Sequence, residues 1–254
     1  MTAPAIPESA LATLLLEAMR THRRMAPPAL LVPPDRDAAY SIQQDLLQRL
    51  NSPISAWKVG TAQTLGEVLG SPIPASSVQV ISGSVRLADH EICGLELELA
   101  FRFGRSFPHR DMPYTDSEVL DALEAMAPAI EIVSSRYQGW PDLPDFLKLA
   151  DLQNHGALII GPSVPYRLDF PFLNPAIQLT VNGAECAKSP TGNPAGDPRH
   201  LLPAFVRQCV NRGLSIETGH WVTTGSYSGI YFAHAPGLVR GYFEGLPEVL
   251  LTLN

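Results

Sequence analysis

The sequence has few cysteines, few charged residues and no long apolar run, and each shortage argues against a class of protein. Its three cysteines are odd in number and scattered, so they form neither a disulfide framework nor a CxxC zinc motif. Only 17% of the 254 residues are charged and the net charge is −7, which argues against the basic face that nucleic-acid binding needs. No apolar run approaches the ~18 residues that span a membrane. We therefore expect a globular cytoplasmic protein with neither a nucleic-acid nor a membrane partner.

Several common catalytic and nucleotide-binding motifs are also missing. The chain contains no GxGxxG after a strand, no P-loop lysine, no HExxH and no GxSxG elbow. Its seven histidines show no paired spacing. Only His155, which follows Asp151 closely, is a candidate acid–base group.

Apolar periodicity predicts an α+β chain. Helical spacing predicts one helix that includes Leu11 and Met19 and a second that begins after Asp35 or Asp37. A capping box at Thr115 predicts a third helix that reaches Met126, and Asp197 precedes a fourth. Strands are predicted at 55–59, 78–82, 95–103, 129–135, 157–161, 177–182, 221–225, 238–243 and 248–253. Because helices and strands do not alternate regularly, we expect a helical N-terminal part and a large, curled, mixed sheet.

Three glutamates in predicted strands are candidate metal ligands. Residues 95–101 read LELELAF, so Glu96 and Glu98 point to one face of a strand. Glu131 is the only charge in the apolar strand 129–135. A plain alternative is that the glutamates are solvated and that Arg136 pairs with Glu131. If the three carboxylates converge instead, their oxygen-only ligand set suits Mg²⁺ or Mn²⁺.

A lysine in another predicted strand is a candidate partner for this site. Lys58 lies in the apolar stretch Trp57–Gly60. It would offset the charge of three glutamates and one divalent ion and attract an anionic substrate. A surface lysine that extends its charged end into water remains the alternative.

An ordered set of short motifs resembles a known enzyme family. The motifs are Tyr40–Gln43, Trp57–Gly60, Leu95–Phe101, Ala129–Tyr137, Leu149–Asp151, Gly196–Pro198, Val222–Ser226 and Phe243–Leu246. Together they resemble the 2-keto-4-pentenoate hydratase and 4-oxalocrotonate decarboxylase group of the fumarylacetoacetate hydrolase superfamily, over roughly residues 38–252.

The resemblance implies a fold, a metal and a substrate class. It implies a helical N-terminal segment at residues 1–54 and a mixed β-roll catalytic domain at residues 55–254. It also implies Mg²⁺ or Mn²⁺ held by Glu96, Glu98 and Glu131, with Lys58 as the lysine of the family's strand motif. Members act on small 2-oxo or 2-hydroxydienoic acids from aromatic catabolism and form oligomers. We therefore expect a homo-oligomer, with a complex with a pathway partner enzyme left open.

The predicted reaction is hydration of an acid such as 2-hydroxypenta-2,4-dienoate through a metal-stabilised enolate. Lys58 and Asp151 are the predicted catalytic residues, although Asp151 is equally well a turn cap. The backbone and hydroxyl groups of Thr224, Gly225 and Ser226 are predicted to bind the substrate carboxylate, with a simple turn as the alternative. The sequence departs from the family at 71–75, which read SPIPA and lack the usual acid. Decarboxylation, acylpyruvate-type C–C hydrolysis and a non-catalytic role therefore stay open.

Overall fold

The computed structural model describes residues 9–61 and 67–254, and helices form a small part of it. The α-helices are α1 (Ala10–Thr21), α2 (Arg36–Leu50), α3 (Asp116–Leu120), α4 (Asp145–Ala150) and α5 (Leu201–Asn211). The side chains of Ser9 and Asp35 cap α1 and α2 by accepting hydrogen bonds from backbone N–H groups. Both predicted N-terminal helices are therefore present, and α5 follows a short 3₁₀ turn that Asp197 caps.

More described residues lie in strands than in helices. The strands are β1 (Ile54–Thr61), β2 (Val68–Pro74), β3 (Val78–Val80), β4 (Ser82–Val85), β5 (Gly94–Phe103), β6 (Leu123–Val133), β7 (His155–Ile160), β8 (Val164–Pro165), β9 (Ile177–Val181), β10 (Ala184–Glu185), β11 (Trp221–Ser226), β12 (Tyr231–Phe232), β13 (Gly237–Phe243) and β14 (Val249–Leu253). The larger, nine-stranded sheet runs β2-β1-β11-β5-β6-β7-β3, with β12 beside β5 and β8 beside β6. The smaller sheet runs β10-β9-β13-β14-β4. This mixed arrangement confirms the predicted α+β class.

The two faces of the larger sheet carry different side chains. On one face, large residues of β5 and β6 such as Leu97, Phe101 and Ile130 join the main hydrophobic core with α5 and the smaller sheet. The other face carries many small side chains, among them Ala56, Ala100 and the alanines of β6, together with larger apolar residues of neighbouring strands. Because successive strand residues alternate in direction, the glutamates of LELELAF share this second face. The apolar alternation thus determines which face can carry the site.

Two local predictions differ from the structure. The helix that begins at Thr115 ends at Leu120, and Leu123 and Met126 belong to β6 instead. Residues of β6 pair with β5 from Gly94 to Phe103, and this long pairing outweighs the helix preference of the Leu-Glu-Ala-Met segment. Sequence reasoning also missed β2, which contains two prolines. It is an edge strand of the larger sheet, where a proline without an N–H need not remove an inter-strand hydrogen bond.

The N-terminal helices pack with a later part of the chain. Residues of α1 and α2 form a hydrophobic cluster with α4, Tyr137 and Leu152. The division at 54/55 stays a prediction, and the first eight residues of that predicted segment lie outside the described residues. Over the described ranges, none of the helices is both long and apolar enough to cross a membrane.

Candidate active site

Three glutamates from neighbouring strands converge on the alanine-lined face. Glu96 lies directly opposite Glu131 in the β5–β6 pairing, and Glu98 is two residues further along β5. One oxygen from each carboxylate lies within 4.8 Å of the other two. Glu98 and Glu131 are fully buried, whereas Glu96 is half-buried. The plain alternative, in which all three are solvated surface residues, is therefore wrong.

The cation of this cluster is a lysine. The Nζ atom of Lys58 on β1 lies 2.8 Å from Oε2 of Glu131, and the lysine side chain is only 16% exposed. The alternative in which Arg136 pairs with Glu131 is wrong, because Arg136 binds Asp151 instead. Isolated charges in apolar strands single out Lys58 and Glu131 separately. Their pairing depends on the sheet order, which places β11 and β5 between their strands.

Burial and like charge control the electrostatics of the cluster. Burial raises the pKa of the Glu98 carboxyl, and the neighbouring Glu131 charge raises it further. Burial likewise raises the pKa of Glu96, and Lys58 opposes the shift. Burial alone would lower the pKa of Lys58, but the glutamate charges outweigh it and hold that pKa above its ordinary value. Three acids around one lysine thus form a site with unbalanced negative charge.

The glutamate cluster fits a divalent cation. Its donors are all carboxylate oxygens, which suit Mg²⁺ or Mn²⁺. Oε1 of Glu98 is buried and finds no hydrogen-bond partner among the described residues. A buried charged oxygen without a partner is costly, and a cation would stabilise it. The residues that would hold the ion are therefore Glu96, Glu98 and Glu131.

His155 supports Glu131 from the opposite side to Lys58. Its Nδ1 lies 3.2 Å from Oε1 of Glu131, and its Nε2 lies 3.0 Å from Oγ of Ser77. Burial holds the pKa of the imidazole well below its ordinary value, so the ring is neutral. A neutral ring has one N–H and the carboxylate only accepts, which assigns that hydrogen to Nδ1. His155, singled out for its nearness to Asp151, thus contacts Glu131.

Asp151 lies in a separate buried ion pair. Its carboxylate accepts hydrogen bonds from the backbone N–H of Arg136 at 3.0 Å and from Nε of the same residue. Nη2 of Arg136 also donates to the Asp151 backbone carbonyl at 2.6 Å. Burial raises the pKa of Asp151, and Arg136 opposes the shift. These contacts anchor the segment after α4, and the catalytic role of Asp151 stays a prediction.

Replacing Asp151 with asparagine separates the two roles of this residue. A purely anchoring role predicts a loss of about 3–5 kcal/mol in unfolding free energy, because Arg136 would keep a buried, unpaired charge. Denaturant unfolding measures this loss, and turnover is measured at a temperature where the variant is fully folded. Turnover near the wild-type value would exclude proton transfer by Asp151. A loss above about 100-fold without destabilisation would establish it.

The predicted substrate-binding loop lies beside the glutamates, and two of its groups already make hydrogen bonds. The N–H of Gly225 donates to Oε2 of Glu98 at 3.0 Å. Thr224 is buried, and the Ser226 hydroxyl donates to the Gly229 carbonyl at 3.2 Å. The loop therefore contacts a glutamate directly, while its role in binding substrate stays a prediction.

A neutral pair occupies the stretch in which the family's acid is missing. Ser71 of β2 lies opposite Lys58 in the β1–β2 pairing and is fully buried. Its Oγ accepts a hydrogen bond of 2.8 Å from Nε2 of Gln43 on α2. Sequence reasoning missed Gln43, although it ends the quoted motif Tyr40–Gln43. Only the packing of α2 against β2 shows that Gln43 contacts Ser71, the residue opposite Lys58.

A cavity of about 480 Å³ lies next to the glutamate cluster rather than over it. Its walls include Ser77, His155, Arg136 and residues of α1, but none of the three glutamates. His155 separates the two, since one ring nitrogen contacts Glu131 and the other contacts Ser77. The cavity therefore does not itself define the metal-binding position.

Comparisons with known protein sequences identify related enzymes. No family model matches the chain. A relative named TodF product hydratase, from Pseudomonas putida, is 27% identical over 227 residues, which are 85% of this chain and 83% of that protein. A 4-oxalocrotonate decarboxylase from a Pseudomonas species is 26% identical over 145 residues, which are 57% of this chain and 54% of that protein.

Solved structures share the fold. The structure of 4-oxalocrotonate decarboxylase from Pseudomonas putida, complexed with magnesium and adipate, has a TM-score of 0.84 at 17% identity and covers 96% of each chain. Fumarylpyruvate hydrolase from Pseudomonas aeruginosa, in complex with Mn²⁺ and pyruvate, has a TM-score of 0.53 at 18% identity, over 80% of this chain and 91% of that one. These findings confirm the predicted fold. With the sequence relatives, they confirm the resemblance to the hydratase and decarboxylase group.

Proposed function

We propose that this protein is a divalent-metal-dependent lyase that acts on a small 2-oxo or 2-hydroxydienoic acid, with hydration as its reaction. The observation that carries the proposal is the convergence of Glu96, Glu98 and Glu131 beside Lys58 on one face of the larger sheet. Two of these acids are fully buried, which is costly unless a cation binds there. The hydratase and decarboxylase relatives support the same reaction class.

Each residue of the site has a distinct task in this proposal. Bound Mg²⁺ or Mn²⁺ would supply Lewis acidity to the 2-oxo end of the substrate. Lys58, already 2.8 Å from Glu131, offers its ammonium to the substrate carboxylate or to the negative charge that develops at the 2-oxo oxygen. His155 and the Gly225 N–H hold Glu131 and Glu98 in place.

Decarboxylation is the second candidate, and one observation favours it. The stretch opposite Lys58 carries Ser71, hydrogen-bonded to Gln43 of α2, and lacks the acid expected of a hydratase. In decarboxylation the C–C bond to CO₂ breaks and its electron pair moves toward the 2-oxo group. That step needs charge stabilisation but no protein base to remove a proton. Water addition, by contrast, needs a group that moves protons.

Metal titration followed by a substrate comparison tests the proposal. Metal-stripped protein is titrated with Mg²⁺ and Mn²⁺, with and without oxalate, which mimics the chelating end of a 2-oxo acid. We expect metal to bind and to tighten oxalate binding, and Glu96→Gln to lose both effects. Absence of metal binding in every condition would contradict the metal site. Metal binding without turnover of any 2-oxo or dienoic acid would favour a non-catalytic binding role.

Product analysis then separates the two reactions. Hydration of 2-hydroxypenta-2,4-dienoate removes the absorbance of the conjugated diene without releasing CO₂. Decarboxylation of 4-oxalocrotonate releases one CO₂ per substrate. We further propose, from the resemblance alone, a cytoplasmic homo-oligomer, with a pathway partner enzyme left open. Sedimentation of the purified chain tests its self-association.

A further inference from the structure

Strand β11 is irregular at the point where it meets Glu98. Its pairing with β5 shifts register between Thr223 and Ser226. Gly225 within this irregularity has a φ of 96°, in the left-handed region that favours glycine. As a result its N–H leaves the regular ladder and donates to Oε2 of Glu98 at 3.0 Å. The direction of one backbone N–H therefore determines how this carboxylate is held.

A single buried amide controls that direction from the other side. Nδ2 of Asn193 donates to the carbonyl of Thr224 at 2.9 Å and to the carbonyl of Gly225 at 3.0 Å. Its Oδ1 accepts from the N–H of Ala195 at 2.9 Å. Both N–H groups of this amide and one of the two lone pairs of its oxygen thus form hydrogen bonds. These three bonds determine the orientation of the side chain.

The planarity of the peptide bond links the two contacts. The Thr224 carbonyl and the Gly225 N–H belong to the same peptide unit and point in opposite directions when the bond is trans. Asn193 holds the carbonyl end, and the N–H end consequently points at Glu98. Rotation of this peptide would break both hydrogen bonds at once.

We propose that Asn193 is a positioning residue of the metal site, acting on Glu98 through the Thr224–Gly225 peptide. This inference rests on the proposed function. With Oε2 of Glu98 held by the Gly225 N–H, the buried and unpartnered Oε1 is the oxygen left to bind a cation. Asn193 thereby fixes which oxygen of Glu98 faces the ion.

The surrounding segment stays attached without this side chain. The N–H of Lys188 donates to the Ser228 carbonyl at 2.8 Å, and the N–H of Gly192 donates to the Tyr227 carbonyl at 2.9 Å. These backbone bonds hold the segment against the residues that follow β11. A substitution at Asn193 therefore changes the Thr224–Gly225 peptide more than the path of the chain.

The test compares two variants of Asn193 with a matched control. Asn193→Leu has nearly the same shape but no amide, and Asn193→Ala removes the whole group. Asn182 is the control, because its amide also binds backbone, at Pro236 and Leu238, but in an exposed turn of the smaller sheet. All variants are made in the full chain, and thermal unfolding shows that they are folded.

Two measurements are made on each variant. In metal-free protein, hydrogen–deuterium exchange of the Gly225 amide is expected to speed up about tenfold or more for the Asn193 variants. Titration with Mn²⁺ is expected to show an affinity about 10–100-fold weaker, as is typical when a residue supporting a metal ligand is lost. Asn182→Ala should change neither quantity.

The outcomes separate this inference from the proposed function. Unchanged exchange at Gly225 in both Asn193 variants would overturn the positioning role, whatever the metal does. Faster exchange with unchanged Mn²⁺ affinity would also overturn it, since the peptide would move without consequence for the ion. If the wild-type protein binds no metal, the proposed function fails. The positioning role of Asn193 toward a metal ligand then fails as well, even if hydrogen–deuterium exchange of the Gly225 amide speeds up in the Asn193 variants.

Discussion

Replacing Glu98 with glutamine is expected to raise the dissociation constant for Mg²⁺ or Mn²⁺ by about 10–100-fold or more. Losing a ligand should cost no less than the 10–100-fold that is typical of a lost supporting residue. The change removes one ligand charge and leaves an amide oxygen that can still accept the Gly225 N–H. Isothermal titration of the metal-stripped variant measures the affinity.

The fold should survive this substitution. Glu98 is fully buried beside Glu131 and Glu96, so the variant loses a like charge from a crowded cluster. We expect the metal-free variant to unfold at the wild-type temperature or above it. Glu248→Gln is the control, since Glu248 is an exposed partner of Arg240 on the smaller sheet. Its metal affinity should equal that of wild type. Equal affinity in Glu98→Gln as well would remove the carboxylate site from this protein.

Replacing Lys58 with methionine is expected to have the second large effect. Methionine keeps the apolar stem and removes the ammonium that lies 2.8 Å from Glu131. Turnover should fall by about 100–1000-fold, because the positive charge facing the substrate is lost. Steady-state kinetics with a responsive substrate measures this loss, and unchanged turnover would make Lys58 a structural residue only.

The same substitution should make stability depend on metal. Removing one partner of a buried ion pair typically costs about 3–5 kcal/mol, and here it also leaves three acids without their lysine. Mg²⁺ should restore part of this loss, because the ion offsets the same carboxylates. Thermal unfolding in chelator and in excess Mg²⁺ compares the two states. Lys148→Met is the control, since Lys148 pairs with Asp145 at a partly exposed position and should cost less than about 1 kcal/mol. A Lys58 variant as stable as wild type in chelator would contradict the unbalanced charge of the cluster.

Because the cluster is buried, the charge of Lys58 acts on all three glutamates. A surface cluster of this composition would be screened by water and contribute little. Here the sheet and its covering residues exclude water from Glu98 and Glu131, so every charge acts at short range and with little screening. Ionised carboxylates at this site are therefore unfavourable in free energy when no metal ion is bound. An anionic substrate adds a further negative charge, and the site suits it only when a metal ion is bound.

Two sequence-based interpretations depended on which charges meet, and the structure rejects the Arg136–Glu131 pair but places Lys58 beside the glutamates. Arg136 lies five residues after Glu131, yet its guanidinium binds Asp151. Lys58 lies more than seventy residues before Glu131, yet the two form an ion pair. Nearness in sequence is a poor guide here, because the sheet order brings strands from distant parts of the chain within reach of each other's side chains.

Local patterns were enough to predict several helices and strands and the ligand candidates. Alternation in LELELAF places Glu96 and Glu98 on one face of a strand, and an isolated charge in an apolar strand singles out Glu131 and Lys58. Helical periodicity likewise predicts α1 and α2. These features follow from residues within one element, since side-chain direction repeats with the period of that element.

Only the tertiary structure decided how those residues meet. The order of strands in the larger sheet brings Lys58 to Glu131, and the irregularity of β11 turns the Gly225 N–H toward Glu98. Asn193 shows no periodic signal in its Gly- and Pro-containing segment, so its contact with the Thr224–Gly225 peptide was invisible to sequence reasoning. Such contacts join segments far apart in the chain, and their geometry depends on packing free energy summed over the whole fold rather than on any local preference.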